Sequence, residues 1–402
     1  MAKKVLFLAG LFPAEIREEI IRNSKFNTQF AADALQWSFV KGLSFYYEDL
    51  ELLNFPFLGS YPTLNKSPHV GEFAFGQSQG FHGLNAGYFN FIGLKNFSIY
   101  RRARKYLKNW SEQNDEEKVI LIYSAFLPFL KSAIAAKKKN GNLKIYVILP
   151  DLPQFMGGPD NVLYRIFKRY TSSALQDAFE HSDGYVLLSK YMLERLPSEN
   201  KKWTVVEGIY DPAEKIETAR NEQPEKRTVL YTGTLAKRYG ILGLLDAFGL
   251  IDDVDLQLVI CGDGDSKEAI IAAGKKDKRI IYKGSLDRKE VLRMQRNASL
   301  LVNPRTPDGE FTKYSFPSKT MEYLASGVPA LIFKLPGIPG EYYDYCFSLD
   351  DTSVESFAGK IKEILHTDPE MLAEKGKAAR QFILDKKNPV VQCKRVHDLI
   401  EE

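Results

Sequence analysis

Six charged side chains crowd into Asn303–Phe333, NPRTPDGEFTKYSFPSKTMEYLASGVPALIF: Arg305, Lys313 and Lys319 are cationic and able to handle an anion, Asp308, Glu310 and Glu322 anionic. Arg305 follows a predicted strand end. There its planar guanidinium can clamp a phosphate through two hydrogen bonds, or pair at the surface with Asp308 or Glu310. A second strand-end loop, Tyr231–Gly240 (YTGTLAKRYG), combines Gly233 and Gly240 with Lys237 and Arg238, charges suited to a diphosphate. A third, Cys261–Asp265 (CGDGD), is a glycine turn of low specificity, since a lone Gly-x-Gly occurs in many contexts. Asp151 sits between Pro150 and Pro153 after an apolar run. That carboxylate is placed equally for chemistry or for capping the next helix. Gly10 closes the first apolar run, either as a plain turn or as a point where another group nears the backbone.

The elements that must position these groups alternate along the chain. Phe316-Pro317-Ser318-Lys319 opens a helix, because proline near a helix start gives up only an N–H that would be unpaired there. Met321, Leu324 and Ala325 recur at helical spacing, Gly327 ends the helix, and Ala330–Phe333 is a buried strand. The site therefore lies between the C-terminal end of one strand and the N-terminal end of a helix. Open α/β sheets bind ligands there, and free N–H groups and the helix dipole favour an anion. Strands are predicted at Lys4–Ala9, Leu50–Phe55, Lys118–Tyr123, Lys144–Leu149, Gly184–Ser189 and Lys202–Glu207. After a polar linker they resume at Thr228–Thr232, Leu256–Cys261, Ile280–Lys283, Leu300–Asn303, Ala330–Phe333 and Tyr345–Leu349. Helices are expected between most of them, with Asp287 and Glu290 as a capping box. The result is an α/β chain with two doubly wound domains, at 1–207 and 228–385, a linker at 208–227 and a final helix in 386–402. Residues 56–95, rich in Gly, Asn and aromatics, read as a binding loop or, preferably, a hairpin packed on the sheet.

A length of 402 residues suits two domains, and 44% hydrophobic with 26% charged residues suits a chain with a real core. A net charge of +4 is too small to argue for nucleic acid. Three scattered cysteines provide neither a disulfide framework nor zinc spacing, which fits a reducing cytosol. The start, MAKKVLFLAGLFP, reads as a buried strand rather than a signal peptide, and no run approaches the roughly 20 apolar residues of a membrane span. Basic helices are expected around Arg101–Lys108, Lys137–Lys139 and Arg165–Arg169. Each is either a solvated face or a surface for anionic lipid.

The motifs Tyr231–Gly240 and Arg305–Pro329 resemble those of retaining family-4 glycosyltransferases of the GT-B fold, and the resemblance extends more weakly over the first half. That family carries two glutamates with seven residues between, followed by small residues and Gly-x-Pro. Glu322-Tyr323-Leu324-Ala325-Ser326-Gly327-Val328-Pro329 matches the second half. The resemblance implies two Rossmann-like domains facing across a cleft, with the last helix crossing back to the first domain. It implies that Glu322 binds the ribose of a nucleoside-diphosphate sugar, a role suited to a carboxylate that accepts from two hydroxyls at once. Two departures stand out. Tyr314 occupies the first glutamate's position, with Glu310 four residues earlier, as if an inserted turn carried the acid. Thr234 replaces the arginine expected after the glycine of the phosphate loop. Arg305 and Lys319, then Lys237 or Arg238, are expected to supply the charge.

By the same resemblance, N–H groups of Ser318, Lys319 and Thr320 stabilise the leaving diphosphate, Glu310 contacts the donor sugar, and Asp151 lies near the transferred sugar. Gly10, Gly233 and Thr234 join the donor-binding set. No metal and no cofactor beyond the donor substrate are expected. The acceptor, a glycan or lipid-linked sugar, is expected at the first domain, and an anionic membrane surface is a candidate partner. Phe316-Pro317-Ser318-Lys319 is similar to enzymes of capsule, exopolysaccharide and lipopolysaccharide assembly, which implies a cytoplasmic protein at the inner face of the membrane. The competing readings are a sugar-nucleotide epimerase or hydrolase of the same fold, a non-catalytic nucleotide-sugar or glycan-binding partner of another transferase, and a two-domain protein for another phosphorylated ligand.

Overall fold

The structure is a computed structural model and describes residues 3–25, 28–76, 80–113, 117–152, 162–212 and 226–402, with backbone alone over 162–170. Most of the expected linker, and the side chains of Arg165, Lys168 and Arg169, lie outside the described residues. The chain forms two compact units, Met1–Ile209 with Pro389–Glu402, and Tyr210–Asn388.

The first unit runs β1 (Lys4–Ala9), α1 (Ala14–Asn23), α2 (Phe30–Tyr46), β2 (Glu51–Asn54), β3 (His69–Val70), β4 (Phe73–Phe75), β5 (His82–Asn85), β6 (Tyr88–Phe89), α3 (Lys95–Ser111), β7 (Lys118–Tyr123), α4 (Leu127–Lys137), β8 (Leu143–Leu149), α5 (Val162–Glu180), β9 (Gly184–Leu187) and β10 (Lys202–Val205). Its sheet has the order β10-β9-β8-β7-β1-β2-β5-β4, parallel except where β4 pairs antiparallel with β5. The central strands β1 and β7 are buried almost throughout, as parallel strands covered on both faces must be. The glycine- and aromatic-rich stretch is thus a hairpin at the sheet edge, β4–β5, beside a small β3–β6 ribbon. One of the helices expected between strands, α2, runs from Phe30 to Tyr46. Helix α1 was not anticipated, since half of its residues are charged and Ile20 alone is fully buried.

The second unit continues β11 (Arg227–Thr232), α6 (Ile241–Gly249), β12 (Leu256–Cys261), α7 (Lys267–Lys276), β13 (Ile280–Gly284), α8 (Arg288–Asn297), β14 (Leu300–Asn303), α9 (Lys319–Ser326), β15 (Ala330–Phe333), β16 (Phe347–Leu349), α10 (Val354–Leu365) and α11 (Pro369–Lys386). Its sheet order is β13-β12-β11-β14-β15-β16, all parallel. The chain winds outward from β11 to β13, then restarts on the other side of β11 at β14. That makes the β11/β14 border a topological switch point, where ligands bind outside the carboxyl ends of the strands. The Asp287 carboxylate accepts from the Glu290 N–H at 2.9 Å, so the expected cap is formed.

The last helix, α12 (Pro389–Glu401), belongs to the first unit. It packs on α2, with Cys393, Val396, Leu399 and Ile400 in that unit's core. Gln392 donates to the Gly208 carbonyl at 2.9 Å, and Arg395 to the Val205 carbonyl at 3.0 Å.

Candidate functional site

The two loops that flank the switch point are pressed together. Gly240, at φ +79°, ends the β11 loop, and a Cβ there would stand 1.9 Å from the Pro304 carbonyl oxygen in the β14 loop. Only glycine permits that approach with that backbone. The glycine turn after β12 supports the same loop. The Leu235 N–H donates to the Asp263 carbonyl at 2.9 Å, the Ser266 N–H to the Leu235 carbonyl at 2.9 Å, and the Lys237 N–H to the Asp265 carboxylate at 2.7 Å. Cys261–Asp265 is therefore a brace for the β11 loop.

Arg305 leaves β14 and is buried. Its guanidinium donates to Ser315 Oγ at 2.6 Å and stacks 4.5 Å from the Phe311 ring centre and 5.2 Å from that of Tyr239. Exposed Arg238 approaches the same two rings, at 5.4 and 5.2 Å. Two aromatic faces thus hold two guanidinium groups near each other, an arrangement that cation–π attraction stabilises and that a bound polyanion would complete.

Glu310 opens a short 3-10 turn, Glu310–Thr312. The Tyr314 hydroxyl donates to Glu310 Oε1 at 3.1 Å. The tyrosine therefore holds the Glu310 carboxylate.

Glu322 is the hub. Its Oε1 accepts from Lys319 Nζ at 2.7 Å and from Gln295 Nε2 at 2.5 Å, and its Oε2 accepts from Arg288 at 2.9 Å. Burial raises the carboxyl pKa, but Lys319, Gln295 and Arg288 together outweigh burial, and the group is held below its ordinary value. Fully buried Gln295 also donates to Thr232 Oγ1 at 2.8 Å. The Tyr323 hydroxyl accepts from the Thr232 N–H at 2.9 Å and donates to the Thr232 carbonyl at 3.1 Å. The end of β11, the first and last turns of α8 and the first turn of α9 are thereby locked around one ionised carboxylate.

At the start of α9, Ser318 is exposed and its side chain does not cap the helix. The Thr320 N–H donates to the Pro317 carbonyl at 2.8 Å, so the expectation that it is open to a ligand is corrected. What Thr320 leaves over is a buried hydroxyl, Oγ1, with no hydrogen-bond partner. Thr234 and Lys237 are exposed, and the Thr234 carbonyl accepts from the Tyr231 hydroxyl at 2.8 Å.

Gly233, Thr234, Lys237, Arg238, Arg305, Glu310, Ser318, Lys319, Thr320 and Glu322 all belong to the second unit. Gly10 and Asp151 are in the first. The Gly10 N–H already donates to Gln36 Oε1 at 2.7 Å, and a Cβ there would meet the Phe57 ring at 2.4 Å. Glycine at this position lets the backbone pack against the Phe57 ring. Asp151 is exposed after β8. After burial itself, its charge is the next cause that pushes the Tyr123 hydroxyl pKa up. Sequence reasoning missed Gln295, Arg288 and Tyr323. The signal for Gln295 was its spacing: it shares the buried face of α8 with Leu292. Among the described residues no group of histidine, cysteine or carboxylate side chains could hold a metal ion.

Two doubly wound, largely parallel units, with the anion-handling groups at the switch point of the second, place the chain in the GT-B fold class. Residues 213–382 match the family model of Glycosyl transferases group 1. No curated protein sequence matches the chain. Among solved structures, the N-terminal domain of Candida albicans trehalose-6-phosphate phosphatase aligns with a TM-score of 0.64 at 11% identity, over 100% of this chain and 97% of that one. Anabaena HepE, solved in complex with UDP, gives 0.63 at 12% identity over 99% of both chains. The lipopolysaccharide outer core galactosyltransferase WaaB gives 0.58 at 14% identity, again over 99% of both. These likenesses establish the fold.

Proposed function

We propose that the second unit binds a nucleoside-diphosphate sugar and that the protein transfers the sugar to a glycan or lipid-linked acceptor. The observation that carries this reading is Glu322: an ionised carboxylate fixed from three sides at the switch point, within the stretch that matches Glycosyl transferases group 1. Such a group suits the two vicinal hydroxyls of a ribose. The UDP held by HepE of the same fold supports a nucleotide donor.

In this reading Lys319, Arg305 and Arg238, with Lys237 nearby, face the diphosphate. The first-turn N–H groups of α9 at Ser318 and Lys319, and the Thr320 hydroxyl, add donors. Negative charge grows on the diphosphate as the glycosidic bond breaks. Fixed donors that stabilise that charge more than the ground state lower the barrier, so the reaction needs no metal and no further cofactor. Glu310, steadied by Tyr314, reaches the donor sugar, and Asp151 lies near the transferred sugar. Transfer proceeds with retention of anomeric configuration, in cell-surface polysaccharide assembly at the cytoplasmic face of a membrane.

The test starts with binding. At about 100 times its Kd, the matching nucleoside diphosphate stabilises the protein by about 2.7 kcal/mol, read as a thermal shift. Slow release of nucleoside diphosphate from the donor sugar, abolished in Glu322→Ala, then establishes turnover, and NMR of the product reads retention. Absence of a shift with every nucleoside diphosphate and nucleotide sugar would overturn the reading. Binding without turnover, with any acceptor, would assign the chain as a non-catalytic partner.

A further inference from the structure

The first unit exposes an apolar surface beside a cationic one. Phe89, Phe91, Ile92, Leu94 and Phe97 fall within nine residues and are each between 39% and 59% exposed. The Phe89 N–H donates to Ser98 Oγ at 3.1 Å, which sets β6 against the first turns of α3. The Leu94 N–H donates to the Phe91 carbonyl at 3.1 Å, and the Phe91 ring lies edge-on to Tyr61 at 5.1 Å. The five side chains therefore form one patch.

Helix α3 continues it. Ile99, Ala103, Leu107 and Trp110 form its buried face. At about 100° per residue, Leu94, Phe97, Arg101, Arg104, Lys105 and Lys108 point the opposite way, and all six are exposed. The helix contains no Asp or Glu. Arg102 pairs with Glu72 at 3.0 Å. Lys95 turns inward to the Leu58 carbonyl, and burial lowers its pKa to about 8. Among the described residues no carboxylate pairs with Arg101, Arg104, Lys105 or Lys108. A solvated helix usually mixes signs, and a protein interface is poor in lysine. An apolar end followed by unpaired cations matches a bilayer surface, where apolar groups enter the headgroup boundary and cations meet lipid phosphates. No described helix is long and apolar enough to cross a membrane.

We propose that Phe89–Phe97 and the outward face of α3 dock the protein on anionic lipid. This deepens the membrane element of the proposed function and rests on it only for its purpose. Binding is read without donor or acceptor, so failure here leaves the transfer reading standing, and the reverse.

The experiment sediments the full chain with phosphatidylcholine vesicles, with and without a third of phosphatidylglycerol. Binding is expected only with phosphatidylglycerol, weakening with salt. The triple reversal Arg101→Glu, Arg104→Glu and Lys105→Glu should weaken it at least about 100-fold, at about tenfold or less per lost cation. Leu94→Ser with Phe97→Ser should weaken it about tenfold with an unchanged melting temperature, because both side chains are exposed. Equal binding to neutral vesicles, no binding at low salt, or an unaffected reversal variant overturns the proposal. So does a concentration-dependent dimer, lost in the serine variant, without vesicle binding, since it would give the patch to a second copy of the chain.

Discussion

Replacing Gln295 with leucine removes the side chain that ties Glu322 to the end of β11. Gln295 Nε2 reaches Glu322 at 2.5 Å and Thr232 Oγ1 at 2.8 Å. A hydrogen bond to a charged acceptor contributes about 1.5–3 kcal/mol, and one to a neutral hydroxyl about 0.5–1.5 kcal/mol. Two effects offset the loss. Gln295 Oε1 is buried without a partner, so removing it relieves a desolvation cost, and leucine fills the space with apolar contact. Thr232 also keeps Tyr323 as a neighbour at 3.4 Å. The net expectation is a loss of about 2 kcal/mol, or about 4–8 °C in Tm for a unit of this size. Nucleoside diphosphate affinity should fall about tenfold, equivalent to 1.4 kcal/mol, because Glu322 keeps Lys319 and Arg288 but loses its fixed orientation. A pH scan adds a signature. The Glu322 pKa is held below its ordinary value in the native protein, so its contribution is present above the unfolded value, 4.5, and disappears as pH falls through the native one. With Gln295 gone the native pKa moves up towards the unfolded value, so the acid loss is smaller and is complete at higher pH. Calorimetry and differential scanning fluorimetry measure both effects. Wild-type Tm and wild-type affinity in Gln295→Leu together would refute the idea that this glutamine positions the carboxylate.

The remaining predictions are simpler. Gly240→Ala sets a Cβ 1.9 Å from the Pro304 carbonyl at φ +79°, and should lower stability by at least about 1–3 kcal/mol; chemical denaturation measures it. Asp33 is buried, accepts from the Phe12 N–H at 2.8 Å and from Arg17 at 2.7 Å, and burial raises its pKa above the ordinary value, 3.8, despite these partners. A raised native pKa makes its contribution largest below 3.8 and loses it as pH rises through the native value, so Asp33→Asn should be at least as stable as wild type at pH 7 and flatter across acid pH, read by Tm against pH. Glu310→Ala should cut donor turnover about 10–100-fold with the nucleoside diphosphate Kd unchanged, and Tyr314→Phe should fall between; equal turnover by Glu310→Ala removes that residue from the mechanism.

The strands were legible because each is an apolar run bounded by turn residues. Lys4–Ala9, Lys118–Tyr123, Leu256–Cys261, Leu300–Asn303 and Ala330–Phe333 form over the stretches expected. Parallel strands covered on both faces need such runs, and few other arrangements of them alternate with helices. Where the apolar signal thins, legibility ends. Helix α1 buries Ile20 alone, and the β3–β6 ribbon is two residues long on each side. The chain order of strands also hides the switch point, since nothing in β14 itself says that it joins β11 rather than β13.

Charged residues of the candidate site were easier to find than the buried residues that hold them. Arg305, Lys319 and Glu322 announce themselves by type and place, whereas Gln295 and Tyr323 act from buried faces shared with ordinary core residues. The same asymmetry governs Tyr314. In sequence it is a missing glutamate, a sign of lost function. In the structure its ring is buried and its hydroxyl holds Glu310, which a 3-10 turn returns to the neighbourhood of the gap. An insertion that displaces an acid along the chain needs a new contact to fix it in space, and the residue left at the old position is the one within reach. If that is why a tyrosine stands at 314, Tyr314→Phe loosens Glu310 alone and leaves Glu322, Lys319 and nucleotide affinity untouched.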